Sequence, residues 1–222
     1  MRNTEDNSQK LIIFDMEHTL LQNRFIDICA ERFKFQQALS LLRQIDNDPV
    51  SLTRRTAWFL RDQKKSVLME IASDMPLVPG VTEAVQQLKE KDYIVGIIST
   101  SYQFVTGIVS KKTGVDFDLA CELQFLGNHV TGEVEIPSYF YRTPNSTCRH
   151  EVCKSNALHH ICKQYNSSIE NAIVIGGNQD DDCMLSQAGT GLAFSVSAGT
   201  EKDTAEPKLH QPLLSKILSQ VP

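Results

Sequence analysis

The apolar run at residues 11–14 is the feature that most constrains the fold of this chain. It reads Leu-Ile-Ile-Phe, and such an unbroken apolar run is typical of a strand buried on both faces in a parallel sheet. Asp15 and Glu17 follow at once, and because side chains alternate along an extended segment, both carboxylates point to the same side. This place is where open α/β sheets bind ligands, and the repulsion between the two acids needs a cation or a proton. The alternative is a strand end running into a polar loop, with both acids solvated.

Two further apolar runs, at residues 93–98 and 172–175, are predicted to be buried strands of the same sheet, and helical spacing follows the first of them. Residues 121–136 are predicted to form a β-hairpin, because apolar and polar residues alternate around a Gly-Asn turn. A terminal helix is predicted through residues 213–218. The pattern therefore predicts an α/β fold.

Residues 22–76 separate the first strand from the rest of the sheet, and their apolar residues repeat at helical spacing. The sequence Asp-Asn-Asp-Pro at residues 46–49 interrupts this pattern. We expect an inserted helical block here. A helical layer packed permanently on the sheet is the alternative.

The residues that follow the second strand are typical of an anion site. Ser99, Thr100 and Ser101 lead into a helix, and hydroxyls with free N–H groups at such a turn attract negative charge. Capping of that helix by Ser101 would account for one of the hydroxyls. Lys154 lies within the apolar arc of a helix predicted from Glu151, so its ammonium must meet negative charge or reach water at the core edge.

Composition and charge exclude several classes of protein. The chain has 222 residues and a formal net charge of −5, which argues against a nucleic-acid partner because that would need a basic face. No apolar run has a membrane-spanning length, and residues 1–10 lack the apolar core of a signal peptide. We therefore expect a soluble cytoplasmic protein without a membrane partner; its oligomeric state stays open.

The cysteines and histidines raise the possibility of a zinc site. Six cysteines are scattered along the chain, and in a reducing cytoplasm they are most simply free thiols. One stretch is dense in ligand-type residues: Cys148, His150, Cys153, His159, His160 and Cys162. On a helix from residue 151 to 164, however, Cys153 and His160 lie two turns apart while Cys162 faces away. That arrangement lacks the close ligand pairs of a tetrahedral site, so free thiols are favoured over zinc.

The sequence Asp15-Met16-Glu17-His18-Thr19 resembles the Asp-x-Asp-x-Thr signature of the haloacid dehalogenase superfamily, and most closely its phosphoserine-phosphatase-like branch. The resemblance implies that Asp15 is a nucleophile that takes up a phosphoryl group and that Glu17 is the general acid and base. It also implies that Ser99 and Lys154 hold the phosphoryl oxygens, with Thr100 beside them.

The resemblance further implies a Mg²⁺ cofactor. Residues 176–185 are similar to the family pattern Gly-Asp-x-x-Asn-Asp-x-x-Met-Leu, with Gly177 where the first Asp is usual. The implied ligands are Asp15, the backbone carbonyl of Glu17 and Asp181, and Asp180 is the candidate to compensate for Gly177. The missing carboxylate makes weakened or absent catalysis a real alternative.

Taken with the resemblance, the sequence predicts a Rossmann-like, mainly parallel α/β core at residues 1–21 and 77–222, with a helical cap at 22–76. The predicted function is Mg²⁺-dependent hydrolysis of a small phosphorylated metabolite through an aspartyl-phosphate. The alternatives are a silent phosphate-binding or regulatory protein and a phosphotransferase to another alcohol. Arg24 stands where phosphoserine phosphatases carry a glutamate for the substrate's amino group, so a substrate without that group is expected.

Overall fold

The computed structural model describes residues 9–196, 215 and 218–221. It contains a six-stranded sheet in the order β4-β3-β2-β1-β5-β6. The strands are β1 (Lys10–Phe14), β2 (Tyr93–Tyr102), β3 (Phe117–Leu126), β4 (His129–Glu135), β5 (Ala172–Gly176) and β6 (Thr190–Ala193). Residues 213, 214, 216 and 217 of the predicted terminal helix lie outside the described residues.

Strand β1 lies in the middle of the sheet and pairs in parallel with β2 on one side and β5 on the other. Its four apolar residues are at most 1% exposed, because helices cover both faces of the sheet. Ile12 pairs with Val95 and Ile173, so the three predicted apolar runs lie side by side. The predicted Rossmann-like, mainly parallel α/β fold is confirmed.

The predicted hairpin lies at the edge of the sheet, and its first strand is longer than the sequence suggested. Strands β3 and β4 are antiparallel, as expected, but β3 begins at Phe117 rather than at Cys121. Its first residues pair in parallel with β2, so the strand serves both the parallel sheet and the hairpin.

The chain forms eight α-helices within its described part. They are α1 (Phe25–Phe33), α2 (Gln36–Ile45), α3 (Pro49–Phe59), α4 (Lys65–Asp74), α5 (Val81–Glu90), α6 (Gln103–Thr113), α7 (Lys154–Gln164) and α8 (Asp182–Gln187). No described helix is both long and apolar enough to cross a membrane.

Helices α1 to α4 form the expected helical block between β1 and the remainder of the sheet. Lys34 has a left-handed conformation, with φ of 64°, and so separates α1 from α2. Proline starts α3, and the Asp48 side chain accepts a hydrogen bond from the backbone N–H of Ser51 at 2.6 Å. The Thr53 hydroxyl then donates to the Thr100 carbonyl at 2.9 Å, so α3 contacts the carboxyl end of β2. The division into core and cap stays a prediction.

Candidate active site

Asp15 lies at the carboxyl end of β1 and is 2% exposed. Its backbone N–H donates to the carbonyl of Ile175, which holds the end of β1 against β5. Oδ1 accepts a hydrogen bond from Lys154 Nζ at 2.6 Å, and Oδ2 accepts one from the Thr19 hydroxyl at 3.3 Å. Both carboxylate oxygens are therefore oriented by side chains from the predicted motifs.

Lys154 is the central cation of the site. It is the first residue of α7 and is 1% exposed. Its Nζ lies 2.6 Å from Asp15 Oδ1, 2.7 Å from Asp181 Oδ1 and 2.9 Å from Asp180 Oδ2. Burial opposes its charge, but the three carboxylates outweigh that and hold the pKa of Lys154 well above its ordinary value. The inward lysine meets negative charge rather than water.

The carboxyl of Asp15 is hard to ionise in this setting. Burial raises its pKa to about 7, and the charges of Asp181 and Asp180 add to that, while Lys154 opposes it. The pKa of Asp180, by contrast, lies below its usual value: burial opposes ionisation, and the Lys154 ammonium and the Thr100 hydroxyl outweigh burial.

Glu17 points toward helix α1 and the end of β2. Its Oε1 accepts hydrogen bonds from the backbone N–H of Phe25 and from the Ser101 hydroxyl, each at 3.0 Å. Burial raises the pKa of Glu17 despite these bonds, which favours the protonated carboxyl that a general acid needs. The expectation that Ser101 caps the following helix is wrong, because β2 continues to Tyr102 and the hydroxyl binds Glu17 instead.

Ser99 and Thr100 occupy the end of β2 beside this group. Ser99 is 2% exposed, and its Oγ accepts a hydrogen bond from the backbone N–H of Ser101 at 3.1 Å. The Thr100 hydroxyl donates to Asp180 Oδ2 at 2.8 Å. Thr100 therefore helps to fix an acidic residue, a contact that the sequence did not indicate.

A cavity of about 150 Å³ lies between the helical block and the ends of the strands. Asp15, Glu17, Ser99 and Thr100 line it from the sheet, and Arg24 and Arg43 from the helices. The space thus combines a buried carboxylate pair with two guanidinium groups, which suits a small molecule that carries negative charge.

Asn178 was missed by the sequence analysis and lies at the centre of the acidic group. Its amide Nδ2 donates to Asp15 Oδ2 at 2.7 Å and to the backbone carbonyl of Glu17 at 2.8 Å. Its Oδ1 accepts from Arg24 Nη2 at 3.1 Å. The amide therefore bridges the two acidic residues of the first loop and the arginine at the start of α1.

Comparison with known proteins agrees with this geometry. Residues 144–205 match a family model described as a haloacid dehalogenase-like hydrolase. Phosphoserine phosphatase SerB2 of Mycobacterium tuberculosis is 25% identical over 95% of this chain and 50% of its own length. The phosphoserine phosphatase of Archaeoglobus fulgidus is 25% identical over 97% of this chain and 61% of its own length.

A solved phospho-aspartyl intermediate analogue of phosphoserine phosphatase has a TM-score of 0.69 and 22% identity, covering 82% of this chain and 84% of that one. The chain is similar to members of the haloacid dehalogenase superfamily. Its similarity is to the phosphoserine-phosphatase-like branch. The chain spans between 50% and 61% of the length of these two curated relatives.

The predicted magnesium ligands already have hydrogen-bond partners within the protein. Asp15 Oδ2 and the Glu17 carbonyl oxygen both accept hydrogen bonds from the Asn178 amide. The amide N–H groups therefore occupy the place of a cation that would bind these two oxygens. Asp181 Oδ1 binds Lys154, and its Oδ2 accepts from the backbone N–H groups of Gly177 and Asn178 at 3.0 and 2.8 Å. Each of these carboxylate oxygens already has a protein donor.

The main chain around Gly177 also leaves no room for a side chain. A Cβ at this position would lie 2.7 Å from the carbonyl oxygen of Phe194, closer than real side chains approach. The segment after β6 is held there by hydrogen bonds from Phe194 N–H to Gly176 and from Val196 N–H to His18. In this conformation the residues do not fit the magnesium set of the sequence analysis, and Asp180 binds Lys154 and Thr100 instead of replacing the missing ligand.

Proposed function

We propose that the chain hydrolyses a phosphate monoester of a small anionic metabolite, with Asp15 as the group that accepts the phosphoryl group. The observation that carries this proposal is the contact of Asp15 with Lys154 beside a cavity that Glu17, Ser99 and two arginines also line. The names of the curated relatives support the reaction class.

In the proposed first step, a carboxylate oxygen of Asp15 attacks phosphorus, and the bond from phosphorus to the ester oxygen breaks. Glu17 gives its proton to the leaving oxygen, a role that suits its raised pKa. Glu17 then takes a proton from water as the water attacks the aspartyl-phosphate, which restores Asp15 and releases phosphate. A phosphotransferase would use another alcohol in place of water in this second step.

Lys154, Ser99 and Thr100 are proposed to bind the phosphoryl oxygens. Positioning and charge compensation supply most of the catalysis in phosphoryl transfer, so these groups contribute by orientation. The Lys154 ammonium is already fixed by three carboxylates, and the Ser99 hydroxyl is buried at the end of β2.

Residues 22–76 are proposed to act as a cap over a core of residues 1–21 and 77–222. Helices α1 to α3 of this block supply Arg24, Arg43 and Thr53 to the cavity wall. Closure of such a block would exclude bulk water from the site while the phosphoryl group is transferred to Asp15.

The substrate is proposed to carry a second anionic group and no amino group near the phosphate. Arg24 and Arg43 line the cavity, and a guanidinium has five donors but no acceptor for an ammonium group. Free phosphoserine is therefore expected to be a poor substrate for this chain.

A second candidate function is a phosphate-binding protein with little or no turnover. The Asn178 amide between Asp15 and Glu17 favours it, because phosphatases of this family generally use Mg²⁺ and the amide competes for the same oxygens. Magnesium dependence itself stays a prediction.

The test is a phosphate-release screen of phosphorylated metabolites, with and without Mg²⁺, run beside thermal shifts with inorganic phosphate. Turnover that disappears in Asp15→Asn supports the hydrolase. Stabilisation by phosphate without turnover of any compound supports the silent protein. If the protein shows neither turnover nor stabilisation by phosphate, both candidate functions are contradicted.

A further inference from the structure

Four side chains with metal-ligating atoms meet outside the proposed active site. The thiols of Cys148, Cys153 and Cys183 and a ring nitrogen of His150 all lie within 4.8 Å of one another. We name these four residues the sulfur cluster. Tetrahedral zinc with Zn–S bonds near 2.3 Å places its sulfur ligands about 3.8 Å apart, so the cluster is close to the required size before any metal enters.

The local chain explains how three of the ligands converge. Helix α7 begins at Lys154 rather than at residue 151, and Cys153 is its N-cap residue in extended conformation. Cys148 and His150 therefore lie in a loop, which can turn their side chains toward Cys153. The backbone N–H of Cys153 donates to the carbonyl of Phe140 at 2.9 Å and anchors this end of the loop.

The fourth ligand comes from a distant part of the sequence. Cys183 is the second residue of α8, and its Sγ lies 3.3 Å from His150 Nδ1. The cluster thus joins the loop before α7 to the first turn of α8.

A serine hydroxyl contacts two of the sulfurs, an arrangement that also occurs around metal sites. The Ser155 hydroxyl donates to Cys153 Sγ at 3.2 Å and lies 3.5 Å from Cys148 Sγ. Ser155 is fully buried. A buried hydroxyl that bonds to ligating sulfur orients the ligand and offsets its negative charge.

We propose that the sulfur cluster binds one Zn²⁺ as a closed structural site of three cysteines and one histidine. Three thiolates and an imidazole form a soft, four-ligand set, which is typical of structural zinc and leaves no open position for a substrate. Binding displaces the thiol protons of the three cysteines to solvent.

The ion would connect two parts of the proposed active site. Cys153 directly precedes Lys154, and Cys183 follows Asp181 by two residues, while Lys154 Nζ and Asp181 Oδ1 are 2.7 Å apart. Zinc between these two cysteines would hold α7 and α8 at the separation that this ion pair needs.

The first experiment measures the zinc content of the full chain, purified without chelator and again after reconstitution with ZnCl₂. We expect one zinc ion per chain, and its removal by a strong chelator should lower the melting temperature. Cobalt substitution should give the thiolate charge-transfer and visible bands of a tetrahedral site. These readouts need no catalytic activity, so they are independent of the proposed function.

Matched variants identify the ligands. His150→Ala and Cys183→Ser should lose the zinc, and because His150 is exposed its replacement removes no core packing. His159→Ala and Cys162→Ala alter residues of α7 outside the cluster and should keep the zinc. Asp15→Asn should also keep it, which separates this site from the carboxylates.

Three results would overturn the proposal. One is wild-type protein that holds no zinc even after reconstitution under reducing conditions. Another is zinc that persists in both His150→Ala and Cys183→Ser, since the metal would then lie elsewhere. The third is a disulfide among the three cysteines that mass spectrometry finds in freshly reduced and re-purified protein.

Discussion

Two groups of atoms that could bind a metal flank the start of helix α7, and they differ in whether other protein groups already neutralise or hydrogen-bond them. The oxygen cluster comprises Asp15, Asp180, Asp181 and the backbone carbonyl of Glu17, and its atoms bind Lys154 and Asn178. In the sulfur cluster, ligand atoms lie against one another, as Cys183 Sγ does against His150 Nδ1. Residue type alone therefore does not define a metal site. A cation is needed only where the protein does not itself place an ammonium or N–H donor against the ligand atoms.

The largest expected effect concerns the oxygen cluster. Asp15→Asn should lower turnover by about 10³-fold or more, because the amide cannot accept a phosphoryl group. The fold should persist, since burial already disfavours the Asp15 charge. Phosphate release and the melting temperature measure the two effects.

Asp182→Asn is the matched control for this variant, because Asp182 is an exposed carboxylate next to Asp181. It should keep its activity. Near wild-type turnover in well-folded Asp15→Asn would refute the proposed mechanism.

The next prediction removes the cation that satisfies the oxygen cluster. Lys154→Met should destabilise the chain by about 3–5 kcal/mol, because three carboxylates lose their buried partner. Without the ammonium the pKa of Asp15 rises further above that of the unfolded chain, and the pKa of Asp180 rises because it loses the partner that holds it low. The folded state then binds more protons than the unfolded state, so stability falls as pH rises.

Urea unfolding at pH 6 and pH 8 tests this, and the loss relative to wild type should be larger at pH 8. Lys163→Met, at the exposed end of the same helix, is the control and should change little. If both variants lose the same free energy of unfolding, the ion pairs of Lys154 do not stabilise the fold in particular.

A smaller effect tests whether Asn178 replaces a cation. Asn178→Ala frees Asp15 Oδ2 and the Glu17 carbonyl. Mg²⁺ should then raise the melting temperature of the variant by about 3 °C more than that of wild type, which corresponds to roughly tenfold tighter binding. Gln179→Ala, an exposed neighbour, should behave as wild type. Equal shifts in all three proteins would show that the amide and the cation do not compete.

The parts of this comparison that sequence could predict are those set by local pattern. Apolar runs identified β1, β2 and β5, and the inward lysine on a helix pointed to the ion pair of Lys154 with Asp15. Each of these depends on neighbouring residues and on the rule that ligands bind at the carboxyl ends of parallel strands.

The remainder depends on contacts between distant segments. The role of Asn178 follows from the main chain of Phe194, which fills the space beside Gly177 and which no local pattern indicates. The sequence pattern predicted a helix from residue 151, which would place Cys153 on the helix and limit its partners to that helix. The helix begins at Lys154, directly after Cys153, and the fourth residue of the sulfur cluster, Cys183, comes from α8. No local pattern links Cys183 to residues 148–153.

The smallest expected effect concerns Arg24, the residue that connects the oxygen cluster to the proposed substrate. It is the N-cap residue of α1, lines the cavity and donates to Asn178. Arg24→Met should lower kcat/KM about tenfold for a phosphoester with a second anionic group, since one charge-assisted hydrogen bond is lost. A phosphoester without that group should lose much less, and Arg32→Met, an exposed arginine of the same helix, should change neither value. Equal losses for both substrates would mean that Arg24 acts only by holding Asn178. Phosphoserine emerging as the best wild-type substrate would refute the proposed selectivity, because a guanidinium beside the phosphate repels its ammonium group.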